Sequence, residues 1–136
     1  MVTDYFCYFL DTSIGFGQVK VSTAKFLEDA GYMPVTEAYF PSDCPDLYIS
    51  RNLNIAVKLL DDAENIRYVA AYLAYWQNTW SSVIDISQRT DILATLYNLG
   101  TNAKAPNTNP SPNLFGKFAG EQYALMEDLL YNQCYR

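Results

Sequence analysis

The stretch Ala63-Glu-Asn65-Ile66-Arg-Tyr68-Val69-Ala-Ala71-Tyr72-Leu73-Ala-Tyr75-Trp76-Gln-Asn-Thr-Trp80 decides the fold class. Ile66, Val69, Leu73, Trp76 and Trp80 fall at the spacing that lines one face of an α-helix. Upstream, residues 50–60 read as a second helix with Leu53, Val57 and Leu60 inward, and Asp61-Asp62 punctuates the join. Residues 23–30 read as a short helix that starts at Val21 or Ser22 and stops at Gly31, as at a C′ position. Downstream, Thr90 or Asp91 caps a helix over 92–99 that Gly100 closes, and a final helix covers 117–133. Residues 2–10 form an apolar, aromatic run that periodicity alone leaves open between strand and helix. A lone strand would have no partner, so the run is taken as helix. Residues 32–50, with Pro34, Pro41 and Pro45, and residues 101–113, rich in Asn and Pro, read as long loops. The fold class expected is all-α, one compact domain over residues 1–136.

The totals exclude several functions. A chain of 136 residues, half of them apolar, buries a single core without staples. A net charge of −6 argues against nucleic acid and gives no long-range attraction to an anionic surface. The longest apolar run, residues 68–76, is too short to span a bilayer. Met1-Val-Thr-Asp4 lacks the cationic start of a signal peptide. The expectation is a chain that is cytoplasmic as written, exported by another route, or cut from something longer.

There is no histidine, which removes Ser-His-Asp and Cys-His hydrolases and every His-based zinc site. Cys7, Cys44 and Cys134 are odd in number and widely scattered, so reduced thiols fit better than a redox motif or a metal ribbon. No cofactor and no metal is expected. Carboxylate chemistry is the remaining catalytic option.

Two polar clusters interrupt the apolar frame. Asp11-Thr-Ser13-Ile-Gly15-Phe-Gly17-Gln18-Val-Lys-Val-Ser-Thr23 sets a carboxylate, two glycines and an amide side by side. Leu96-Tyr97-Asn98-Leu99-Gly100 puts a phenol and an amide on the last turn of a helix. The first cluster resembles the Gly-x-x-Gln-(Ile/Val)-x-x-x-Thr-Ala signature of the soluble lytic transglycosylases of the lysozyme-like superfamily. Asn65-Ile66 with Ala71-Tyr72-Leu73 resembles that family's Asn-Ile-x-x-(Gly/Ala)-x-x-Tyr-Leu stretch, and Leu96–Gly100 is similar to its Ala-Tyr-Asn-x-Gly motif. The three occur in the family's order and cover roughly residues 11–100.

The resemblance implies a lysozyme-like helical domain, here lacking upstream helices, that cleaves the glycan strands of the bacterial cell wall. It implies peptidoglycan, built of N-acetylmuramic acid and N-acetylglucosamine, as partner. A single carboxylate protonates the leaving oxygen and then serves as base while the sugar's 6-hydroxyl closes on C1. The family's acid is a glutamate in a Glu-Ser context, set before a longer loop. Here the nearest equivalent is Asp11-Thr12-Ser13, one methylene shorter. The acid is thus Asp11, or Asp11 standing for a glutamate, or absent from this chain.

Phe9, Leu10, Ile14 and Phe16 would raise the pKa of Asp11 by desolvation; the alternative is that Asp11 only makes an Asx-turn into the glycines. Ser13, Gln18, Tyr97 and Asn98 are the expected glycan ligands, with Gly15 and Gly17 letting the backbone approach the sugar. Gln18 has an alternative role in tying down its own loop, and Tyr97 and Asn98 in finishing a helix. Asp85 reads as solvated and Asp91 as an N-cap. A catalytically inactive relative, working as a glycan-binding or protein-interaction module, is the second expectation.

Overall fold

The structure is a computed structural model, and it describes residues 13–44 and 47–134. The helix expected over 2–10 and the acid expected at Asp11 lie outside the described residues. The described chain is mainly helical, with five α-helices and one small two-stranded sheet. An antiparallel hairpin opens it, β1 (Ser13–Ile14) against β2 (Val19–Lys20), with Ile14 opposite Val19. Strands of two residues carry no readable alternation, which is why the sequence was silent about them.

Helix α1 (Val21–Asp29) follows directly and ends in a Schellman motif, with Tyr32 N–H donating to Leu27 O and Gly31 N–H to Glu28 O. After a loop braced by the Tyr39–Ile49 bridge come α2 (Arg51–Leu59) and α3 (Asp62–Trp80). Ser50 caps α2 by accepting from Leu53 N–H. Helix α4 (Thr90–Leu99) leads through a short 3-10 turn (Gly100–Asn102) and the Asn/Pro-rich loop to α5 (Leu114–Cys134). Arg89, not Thr90 or Asp91, is the residue before α4, and Asp91 instead pairs with Arg89 at 2.9 Å. Cys44 is an exposed free thiol. No helix among the described residues is long and apolar enough to cross a membrane.

Two of the helix faces are rotated from their expected phase. On α2 the buried residues are Ile55, Ala56 and Leu59, while Val57 and Leu60 are exposed. On α3 Trp76 and Trp80 are buried as expected, whereas in its first half Asn65, Tyr68 and Tyr72 are buried and Ile66 is exposed. Hydrophobic ranking puts Ile and Val inward. Here long side chains with polar ends (Tyr68, Asn65, Arg51) take the inward phase because buried partners await them.

The chain divides into two units between Tyr72 and Leu73. In the first, α1 packs on β2 and α2, and its core holds Val19, Val21, Leu27, Ile55, Leu59 and Tyr68. In the second, α4 packs along α5. Gly116 makes that approach possible: a Cβ there would collide with the Thr95 hydroxyl and the Asp91 carbonyl. Asn113 caps α5 by accepting from Gly116 N–H at 2.8 Å, and its own N–H donates to Thr95 Oγ1 at 3.1 Å. Gly116→Ala should lower stability by about 2 kcal/mol, an overpacking cost. At Gly120 a Cβ would stand 3.1 Å from Asp91 Cβ. There the helix-propensity gain of about 1 kcal/mol offsets the crowding and leaves Gly120→Ala near neutral. Urea denaturation of the two variants checks the contrast.

Candidate functional site

The first polar cluster folds as the hairpin turn. Gly15 has φ +70°, a left-handed conformation that an L side chain rarely adopts. A Cβ on it would also run into the Asn65 amide and the Leu59 carbonyl. Gln18 N–H donates to Gly15 O at 3.1 Å, and the Gln18 side chain donates to the same oxygen at 2.9 Å. That pair of hydrogen bonds holds Gln18 at φ +54°, the one positive φ among the described non-glycine residues. Gln18 therefore does tie down its own loop, while its Oε1 has no partner among the described residues. Ser13 is exposed on β1, and Phe16 stands out at the tip, 85% exposed.

What fixes this turn is Asn65, fully buried in the first turns of α3. Its Oδ1 accepts from Gly17 N–H at 2.7 Å. Its Nδ2 donates to Ile14 O and to Leu59 O, each at 2.9 Å. One side chain thus closes the hairpin and the α2–α3 junction together. Its position follows from local chemistry: α2 ends at Leu59, Asp61 Oδ1 accepts from Glu64 N–H, and α3 starts under the hairpin.

A second buried polar cluster, which sequence reasoning missed, centres on Glu28. The carboxylate receives two donors on each oxygen. Thr36 Oγ1 and the Tyr68 hydroxyl donate to Oε1, each at 2.6 Å. Thr36 N–H and Arg51 Nη2 donate to Oε2 at 2.9 and 2.8 Å. Lys58 Nζ donates onward to Thr36 Oγ1, and Arg51 also pairs with Asp29 at 2.8 Å. Burial pushes the Glu28 pKa up. The hydrogen bonds from Thr36, Tyr68 and Arg51 together outweigh it, leaving the carboxyl below its ordinary value. The same burial and the adjacent anion drive the Tyr68 hydroxyl well above the ordinary phenol range. Glu28 is ionised and saturated, so it has neither a proton to give nor a lone pair to spare. It is an anchor. The signal lay in the periodicity: Glu28 sits on the inward stripe with Val21 and Ala24.

The second sequence cluster belongs to the second unit. Tyr97 is half-buried on α4. Asn98 is exposed, and its Oδ1 accepts from Asn113 Nδ2 at 3.1 Å, leaving its own Nδ2 without a partner among the described residues. Asp85 is exposed and caps its own turn through Ser87 N–H, and the Arg89 guanidinium holds Asp91 below the usual carboxylate range. Among the described residues no group of three or more His, Cys, Asp or Glu side chains is placed to hold a metal. Comparison with family models, with curated proteins and with solved structures returns no match.

Two outcomes follow from these networks. Asn65→Ala strands one backbone donor and two acceptors in the interior and should cost about 3 kcal/mol. Amide hydrogen exchange should accelerate at Gly17 above all. For Glu28 the folded pKa is depressed, so its contribution is full above the unfolded value of 4.5 and is lost as pH falls through the lower folded value. Glu28→Gln should therefore destabilise by about 3 kcal/mol at neutral pH, with the gap to the parent shrinking on acidification below that point. Thermal melts of both proteins across the acid range check the sign.

Proposed function

We propose that this chain is a peptidoglycan-directed glycan-cleaving domain, of lytic transglycosylase or muramidase type, with Asp11 as its sole general acid/base. One observation carries the reading: two of the three resembled segments, far apart in sequence, meet through Asn65. The asparagine that opens the Asn-Ile…Tyr-Leu stretch is hydrogen-bonded to Gly17 inside the Gly-x-x-Gln turn at 2.7 Å. Residues that a chance match would scatter act here as one device.

The chemistry then runs as follows. The Asp11 carboxylic acid protonates the bridging glycosidic oxygen as the bond to C1 breaks and an oxocarbenium-like centre develops. The resulting carboxylate takes the proton of the sugar's 6-hydroxyl as that oxygen closes on C1, and the acid is regenerated; with water in place of the hydroxyl the outcome is hydrolysis. Gln18 Oε1 accepts from a sugar hydroxyl or acetamido N–H. Asn98 Nδ2 donates to an acetyl carbonyl, and Tyr97 stacks on a ring or hydrogen-bonds the acid. Glu28, Asp29, Asp85 and Asp91 are all held below their ordinary pKa, the wrong direction for a general acid.

Incubation with purified sacculi, followed by mass spectrometry, tests the proposal. Anhydro-muropeptides report intramolecular transfer, and reducing-end muropeptides report hydrolysis. Asp11→Asn should abolish either product, a loss of about a hundredfold or more, while Asp11→Glu retains it. Product formation untouched by Asp11→Asn, or absent from both the parent and Asp11→Glu, would sink the enzyme. Retention on insoluble peptidoglycan without turnover would place the chain with inactive glycan-binding modules.

A further inference from the structure

In the second unit, the Asn/Pro-rich loop and α4 together line a half-open cavity of about 420 Å³. That size lies within the range of small-ligand pockets. The floor is apolar, built from Trp80, Ile92 and Leu96. The rim carries Lys104, Asn109 and Ser111, and among the described residues no acidic side chain lines the cavity. This is a local reversal of sign in a chain whose net charge is −6.

Three polar side chains on the rim are uncommitted, and the indole N–H of the floor is buried away from solvent. The indole N–H of Trp80, a residue only 2% exposed, has no partner. Buried donors are rarely left so, and each such group asks for an explanation. Lys104 Nζ makes no ion pair, and the side chains of Asn109 and Ser111 make no hydrogen bond, among the described residues. Asn107 and Asn113, by contrast, are committed to the loop itself: Asn107 Oδ1 accepts from Asn109 N–H at 3.0 Å, and Asn113 caps α5. Pro110 and Pro112 restrict the backbone between them, so the rim is shaped before any ligand arrives. An apolar floor under a lone cation, flanked by an uncommitted amide and hydroxyl, complements an anion with a hydrocarbon body.

We propose that this cavity is a binding site for a small organic carboxylate. Lys104 pairs with the carboxylate, Asn109 and Ser111 donate to its remaining acceptors, and the body rests on Trp80 and Leu96. The site is separate from the Tyr97–Asn98 cluster of the proposed glycan chemistry, because neither of those residues lines it. Such a carboxylate comes from a peptide C-terminus or from a sugar acid, and two probes separate these sources. N-acetyl-alanine represents the first and N-acetylmuramic acid the second, with N-acetylglucosamine as the uncharged control.

The experiment titrates the full chain with each probe and follows the two tryptophan indole N–H resonances by NMR. One carboxylate probe, or both, should shift a single indole signal, which Trp80→Phe identifies by its disappearance. Lys104→Gln, a surface change that leaves the core alone, should weaken that binding about tenfold. Asn109→Ala should weaken it less. The tighter of the two carboxylates names the source. No indole shift with either carboxylate at millimolar concentration would overturn the proposal. So would equal binding of N-acetylglucosamine, or affinity indifferent to Lys104→Gln in a variant with parental circular dichroism.

Discussion

A carboxylate removed from water must be given back what water supplied, and the first unit is organised around how Glu28 is repaid. Both oxygens are doubly hydrogen-bonded, by groups from the loop after α1, from α2 and from α3. Each donor has to arrive at a set distance and angle, so the anion specifies the placement of three chain segments at once. An apolar residue at this position would fill the space without dictating which segment comes where. Buried charge costs stability in general, and its use as a device for uniqueness has precedent where polar groups fix register. Arg51 keeps the cluster from carrying an unbalanced charge and links it to the surface through Asp29.

The hairpin borrows its rigidity from the same helices. Tyr68 and Asn65 lie three residues apart on α3, hence on neighbouring turns of one face. Tyr68 meets the anion, and Asn65 meets the Gly15–Gln18 turn. A two-residue ladder has little stability of its own, and loops that bind ligands need a rigid support. Here the support comes from a side-chain amide that replaces missing ladder bonds. In the second unit the equivalent task falls to Asn113, which joins the long loop to α4 through Thr95 and to α5 through Gly116.

The helices were legible because their periodicity and stop signals agree. Gly31 and Gly100 end helices where the sequence places them, and α3 runs within a residue of its expected span. Helix rotation was less legible. On α2 and the first half of α3 the inward face is chosen by Arg51, Asn65 and Tyr68, whose partners are distant in sequence and invisible to any local window; further along α3, Trp76 and Trp80 are inward as their spacing says. The glycine–glutamine turn was legible as an unusual spot in the chain, and half of Gln18's expected double role, the bond to its own loop, is seen in its amide. The role of Asn65 depends on Gly17, 48 positions away, so no local pattern carries it. For Glu28 the inward phase shared with Val21 and Ala24 is visible in the sequence, but its donors on Thr36, Arg51 and Tyr68 are not, because they come from other segments.

Gly15 and Asn65 also interlock in a way that bears on how this chain can change over generations. Any side chain at position 15 strikes both the Asn65 amide and the Leu59 carbonyl, so a smaller residue at 65 removes only one of the two obstacles. A smaller residue at 65, however, orphans the backbone groups that the amide serves. Neither position can change first without a loss of stability. Phe16, between the two glycines yet out in solvent, is free to drift. A lineage carrying this turn should accordingly diverge at its tip and stay frozen at its hinge.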